Sequence, residues 1–186
     1  MAARNEKESW VKIRHLVFKY IMLPFVWLLC RLKYGARCEK FVNQGKRPYL
    51  VLYNHQTPYD QFFPYLSFSG RVYCVATEDI FSNGFTSRLI SFMFNPIPIQ
   101  KRVVDLQAIR NIVKVAKECG TIAIAPEGNR TYSGKTEHIS ESIVKLVRMI
   151  KLPVALYRIE GGYGAEPRWS SKARRGKMRC YVSEVI

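Results

Sequence analysis

Apolar and polar positions alternate along this chain in short runs, each with the period of a strand or of a helix. Two unbroken apolar runs, Leu50 to Tyr53 and Thr121 to Ala125, stop abruptly in polar residues, which predicts buried strands. Arg71 to Thr77, Pro153 to Ile159 and Arg179 to Val185 read as further strands. Asn95 to Ile99 is expected to be short and extended, because two prolines forbid helix there. Between these runs the spacing turns helical. Pro58 to Ser67 is one such segment, capped by Thr57, with Pro64 kinking or ending it. Phe81 to Phe94 is a second, its Phe81, Phe85, Leu89, Phe92 and Met93 assigned to the core. In a third, Leu106, Ile109, Val113 and Ala116 form the buried face, Asp105 the cap and Gly120 the C′ stop. In a fourth, capped by Ser140, Ile143, Val144, Val147 and Ile150 turn inward and Lys145, Arg148 and Lys151 outward. Strands alternating with helices predict an α/β fold: a mixed, largely parallel sheet flanked by helices.

The pattern changes between Trp10 and Arg37. A bulky apolar stretch from Tyr20 to Cys30 is flanked by Lys12, Arg14 and Lys19 on one side and Arg31, Lys33 and Arg37 on the other. No small-residue cleavage site follows it, so a signal peptide is a poor reading. The uninterrupted run is shorter than the ~20 residues of a spanning helix, and Pro24 breaks it. With Trp10, Trp27 and Tyr34 at its ends, the segment is expected to be a kinked helix or helix pair dipping into one leaflet. A long helix packed on the domain is the alternative. The expected division is residues 1–37 as an N-terminal membrane-associated segment and 38–186 as the catalytic domain.

Charge narrows the list of partners. Thirty Lys and Arg against fourteen Asp and Glu give a formal net charge of +16 on 186 residues, which points to a polyanionic partner. Nucleic acid, an anionic lipid surface and a phosphorylated substrate all qualify. Against nucleic acid, the basic residues cluster at the apolar N-terminus and on helix faces rather than interleaving with aromatics on a strand or groove helix. The five scattered cysteines show no zinc spacing, fit a reducing compartment, and read as small core hydrophobes.

Candidate chemistry lies where the two apolar runs end. His55 leaves the carboxyl end of a strand, where ligands bind in open α/β sheets, and Asp60 follows five positions later. A carboxylate bonded to one imidazole nitrogen fixes the tautomer and leaves the other nitrogen to take a proton. The pair then reads as a general base with its orienting group. In the other reading Asp60 only caps the next helix and His55 is a loop residue. The second run ends in Pro126-Glu127-Gly128-Asn129-Arg130-Thr131, where a guanidinium can grip phosphate oxygens in a fork. His15 and His138 have no paired carboxylate at useful spacing.

Asn54-His55 with Asp60 resembles the NHxxxxD motif of the glycerophospholipid acyltransferases, typified by the 1-acyl-glycerol-3-phosphate acyltransferases. Pro126 to Thr131 resembles their PEGTR motif, with Asn129 in the usual threonine position. Asn95 to Arg102 resembles the block ending in an essential arginine, and Leu152-Pro153-Val154 the final proline-bearing block. These blocks keep the family's order from about Tyr49 onward. The resemblance implies acyl transfer from acyl-CoA or acyl-carrier protein to the free hydroxyl of a lysophospholipid, with lysophosphatidic acid favoured. It also implies that Arg102, Glu127, Gly128 and Arg130 hold the phosphorylated acceptor, with Asn54, Pro126, Asn129, Thr131 and Pro153 in support. His55 and Asp60 would be the catalytic pair, and amides near Gly128 would face the oxyanion. Expected besides are no cofactor, no metal, no nucleic acid, and a monotopic or peripheral membrane location with the catalytic domain facing the cytoplasm. A transacylase, a different lipid or alcohol acceptor, and a silent lipid-binding relative remain as alternatives.

Overall fold

Leu50, Val51, Leu52 and Tyr53 alternate between the two sides of a sheet, and both sides are covered, so the run is apolar throughout. The computed structural model describes residues 9–77, 84–100, 105–136, 138–170 and 172–186. In chain order the elements are α1 (Ile13–Tyr34), β1 (Arg37–Cys38), β2 (Leu50–Tyr53), α2 (Phe63–Ser67), β3 (Val72–Thr77), α3 (Gly84–Met93), β4 (Ile97–Ile99), α4 (Leu106–Lys117), β5 (Thr121–Ile124), α5 (Glu141–Ile150), β6 (Val154–Glu160) and β7 (Arg179–Val185). The strands form one sheet in the order β1-β7-β6-β2-β5-β3-β4. Every pairing is parallel except β6 with β7. The expected mixed, largely parallel α/β fold is what the chain adopts.

Side-chain alternation splits the core in two. Val51 and Tyr53 face one side, with Cys30 and Tyr34 of α1 and Phe63, Tyr65 and Leu66 of α2. Leu50 and Leu52 face the other, with Ile112 and Val115 of α4 and Leu146 and Ile150 of α5. Central β2 thus has β6 and β5 beside it and helices above and below. The carboxyl ends of these three parallel strands open on the same edge of the sheet.

Several elements differ from the sequence reading. Pro58 to Ser67 is not one helix. A turn is followed by a short 3₁₀ segment (Asp60–Phe62) and then by α2, whose first turn accommodates Pro64 without an interior break. In α4 the inward residues are Ala108, Ile112 and Val115, whereas Leu106 is exposed. In α5 Leu146 is buried and Val144 exposed. The caps Asp105 and Ser140 are as expected, accepting from the amides of Ala108 and Ser142. Of the five cysteines, Cys30, Cys74 and Cys180 are buried, Cys38 is half-buried and Cys119 is exposed. Burial pushes the Cys74 thiol up to about 11, consistent with an inert core group. Phe81 lies outside the described residues, and Phe85, Leu89 and Phe92 of α3 are exposed rather than core.

Gly120 does not stop α4 by adopting a left-handed backbone; Cys119 takes that conformation, with φ 58°. Gly120 is required for space. A Cβ there would sit 2.6 Å from Val115 Cγ1 and 3.0 Å from the Tyr73 ring. Gly120→Ala is expected to cost about 1–3 kcal/mol through overpacking. A lowered denaturant midpoint at unchanged slope would show it.

The N-terminal segment is one continuous helix rather than a pair, long and apolar enough to cross a membrane by length and composition. It is neither buried nor detached. Ile13, Val17, Tyr20, Ile21, Phe25, Leu28 and Leu32 are exposed at helical spacing along its whole length, and Pro24 lies on that side. The opposite face is bolted to the domain. Lys19 is buried and donates to the carbonyls of Phe68 (2.6 Å) and Gly70 (2.9 Å). His15 is buried, with Nδ1 3.0 Å from the Tyr73 hydroxyl. Cys30 and Tyr34 complete that face.

Candidate active site

The sheet stops being regular at Tyr53, but its hydrogen bonding goes one residue further. The Asn54 carboxamide accepts from Ile159 N–H at 2.8 Å and donates to Ile159 C=O at 2.9 Å, imitating a peptide group beside β6. The backbone is then free to turn, and His55 emerges at the carboxyl edge. Its ring packs edge-on to Tyr53, with 21% of the side chain exposed.

Asp60 is fully buried and gathers the turn around itself. Its Oδ2 accepts from His55 Nδ1 at 2.9 Å, from Thr57 N–H at 2.7 Å and from Gln56 N–H. Oδ1 accepts from the Thr57 hydroxyl at 2.5 Å. A buried carboxylate needs such donors to offset its lost hydration. Thr57 is therefore not a helix cap but one of the donors that hold Asp60. With Nδ1 engaged, the His55 Nε2 carries no hydrogen bond to a described residue, on a ring that solvent reaches.

The second motif docks on the first through the backbone of His55. Glu127 Oε1 accepts from His55 N–H at 3.2 Å, and Thr131 N–H donates to His55 C=O at 2.8 Å. Thr131 itself is buried, its hydroxyl donating to Lys135 C=O at 2.7 Å. Pro126 and Glu127 form a turn that closes with Gly128 N–H on Ala125 C=O at 3.1 Å; Gly128 has φ 67°, a conformation that suits glycine. That amide is already used, so of the amides around Gly128 its own is not open to an oxyanion in this geometry. Asn129 is exposed and Arg130 half-buried.

Other expected residues do not join this cluster. Pro153 lies at the amino end of β6, its carbonyl accepting from Leu50 N–H at 3.0 Å, which is the edge of the sheet opposite His55. Arg102 lies outside the described residues, as does Glu137 beside the exposed His138. A groove lined by Ile109, Val113 and Met149 runs between α4 and α5, and no motif residue forms part of its wall.

The parts of Gln56, Glu166, Tyr34 and Lys33 here were not anticipated. Gln56 Oε1 accepts from Gly162 N–H at 2.8 Å and Tyr163 N–H at 3.1 Å, fastening the loop after β6 to the His55 turn. Glu166 on that loop accepts from the Tyr34 hydroxyl and from Lys33 Nζ, the latter at 3.0 Å. Burial works to raise the Glu166 carboxyl. The bond from Tyr34, the Lys33 ammonium and the Arg130 guanidinium outweigh it and hold the group below the ordinary carboxylate value. Lys33 Nζ also lies 4.3 Å from the centroid of the Tyr59 ring. The last turn of α1 is thus wired to the turn that carries His55 and Asp60. Gly161, Gly162, Gly164, Pro167 and Gly176 mark the stretch as loop in the sequence but not what it packs against.

A strand-end histidine held by a buried aspartate can take a proton from a hydroxyl, and the arginine-bearing turn clamped to its backbone brings a cation to the same edge of the sheet. The chain belongs to the Acyltransferase family, whose model matches residues 36–158, and it is an acyltransferase. Its fold is similar to that of the 1-acyl-sn-glycerophosphate (LPA) acyltransferase PlsC from Thermotoga maritima, at a TM-score of 0.67 and 18% identity. The likeness covers 92% of this chain and 67% of that one. No curated protein matches the sequence.

Proposed function

We infer that this enzyme moves a fatty acyl group from a thioester, acyl-CoA or acyl-carrier protein, to the free hydroxyl of a lysophospholipid at a membrane surface. Lysophosphatidic acid is the favoured acceptor, which would give phosphatidic acid. The observation that carries the reading is the 2.9 Å bond between His55 Nδ1 and Asp60 Oδ2, which leaves Nε2 available on an accessible ring. In this mechanism Nε2 removes the hydroxyl proton as the oxygen attacks the thioester carbonyl. Asp60 fixes the tautomer and offsets the charge that forms on the ring. The C–S bond then breaks, and the thiolate takes the proton back from the imidazolium.

Acceptor binding falls to Arg130, with Arg102 carried over from the family motif. Glu127 is read as bonding a glycerol hydroxyl or positioning an arginine rather than touching phosphate, while its Oε1 also holds the His55 amide. A carboxylate beside a phosphate would repel it. Arg130→Ala is expected to raise KM for a phosphate-bearing acceptor on the order of tenfold or more, the worth of one charge-assisted contact, with less effect on kcat. Incubation with labelled acyl-CoA and a panel of lysolipids tests both points. Equal rates with and without a phosphate monoester would remove lysophosphatidic acid as the favoured acceptor.

Membrane contact falls to α1, and its attachment favours lying in one leaflet over crossing. A helix bonded to the domain at His15, Lys19, Cys30 and Tyr34 cannot traverse a bilayer without dragging the sheet into hydrocarbon. Its bare stripe can enter a leaflet side-on. In this reading residues 1–37 are the membrane-associated part and 38–186 the catalytic domain, which faces the cytoplasm.

A further inference from the structure

Between Glu166 and Arg179 the chain carries Arg168, Lys172, Arg174, Arg175 and Lys177 and no acidic residue. A charge run of this kind is usually a solvated loop, so its placement decides what it means. Its second half, residues 174–178, is held against the end of α1 and the loop after β6. A Cβ at Gly35, the residue that closes α1, would lie 2.2 Å from Gly176 C=O and 3.9 Å from Arg175 Cγ. A Cβ at Gly161 would lie 2.8 Å from Lys177 C=O. Arg174 N–H donates to Ala165 C=O at 2.6 Å, and Arg37 N–H to Met178 C=O at 2.9 Å. Backbone packing and hydrogen bonds therefore fix the loop, while its cationic side chains point away.

Lys172, Arg174, Arg175 and Lys177 are all exposed, and none forms an ion pair with a described acidic side chain. The acids nearby are engaged elsewhere: Glu166 by Lys33 and Tyr34, and Glu39 by Arg179 at 2.6 Å. Trp169, 59% exposed, stands on the same loop. The apolar stripe of α1 ends at Leu32, 61% exposed and one turn before Gly35. The apolar strip of α1 therefore runs up to the helix end at Gly35, against which Gly176 and Arg175 are packed.

We propose that this loop is a docking site for anionic lipid headgroups, so that the enzyme selects negatively charged bilayers and not merely apolar ones. The inference rests on the membrane reading of α1 given above and adds a lipid class to it. The apolar stripe supplies sequence-blind attachment, and the loop supplies charge selection. Basic side chains close to an anionic surface gain from its potential, and the gain fades with salt.

The test uses the full chain with vesicles of phosphatidylcholine alone and of phosphatidylcholine mixed with phosphatidylglycerol. Replacing Lys172, Arg174 and Arg175 together by alanine is expected to weaken binding to the mixed vesicles on the order of 100-fold. Binding to the neutral vesicles should stay as it was. A Lys172→Arg, Arg174→Lys, Arg175→Lys variant should retain the preference, which separates charge from folding. If wild type binds both vesicle types equally, the lipid-class inference fails while the membrane reading stands. If wild type binds neither, both fall. The remaining arm addresses the other source of phosphate, the acyl-CoA donor. With acceptor dispersed in detergent, a rise in the donor's KM in the alanine variant would assign the cations to coenzyme phosphates and overturn the proposal.

Discussion

His55→Ala is expected to lower turnover on the order of 10²–10⁴, the usual worth of a positioned general base. The fold should survive the change. His55 is tied to Glu127 and Thr131 by its backbone N–H and C=O, which alanine keeps. The ring contributes one bond to Asp60, whose other three donors remain. Stability should therefore fall by only about 1 kcal/mol. Initial rates with a labelled thioester, set beside a denaturation curve, separate the two quantities. Turnover at the wild-type level would dismiss the base assignment.

Asp60 is the position where chemistry and folding are expected to fail together. Asp60→Ala removes the acceptor of four hydrogen bonds from a fully buried place, so the Gln56 and Thr57 amides and the Thr57 hydroxyl lose the carboxylate they donate to. A loss of stability on the order of 3 kcal/mol follows, with collapse of turnover. Asp60→Asn separates the two effects. Its oxygen can serve the Oδ2 donors and its NH₂ can face the Thr57 oxygen, so much of the turn's geometry is kept. The negative charge opposite the imidazole is gone, and turnover is expected to drop on the order of 10²-fold or more. Near-wild-type rates in a folded Asn variant would reduce Asp60 to a structural residue.

The parts of this molecule legible in the sequence are those governed by local rules. β2 and β7 have the bounds their apolar runs gave, and the caps Asp105 and Ser140 hold because an N-cap is decided within three residues. What depended on distant partners was not legible. β1 is two residues long and exists through its parallel pairing with β7, from the other end of the chain. The faces of α4 and α5 were centred off to one side, with Ile109, Ala116, Ile143 and Val147 bordering the buried Ala108, Ile112, Val115 and Leu146, since periodicity gives an apolar stripe but not which part of it meets the sheet. The turn after His55 misled for a related reason. A Thr-Pro pair is a good helix start, yet the buried Asp60 carboxylate draws the amides of Gln56 and Thr57 to itself.

The same division holds in the site. The five-residue spacing of His55 and Asp60 gave their contact, which the structure places at 2.9 Å. The ties from Glu127 and Thr131 to the His55 backbone need β2 and β5 to be parallel neighbours, with Leu50 opposite Ile122. Glu166 was invisible because its partners, Tyr34 and Lys33, belong to a helix whose position the sequence does not fix.

The sheet's two outer margins are made of its shortest members, β1 with two residues and β4 with three. Pro98 at the middle of β4 has no amide hydrogen to offer. Another molecule aligning along either rim would find almost no ladder to extend, and the formal charge of +16 would push it away. A chain that keeps an oily stripe on show along α1 is thereby spared the commonest route by which sheet proteins stack into fibres.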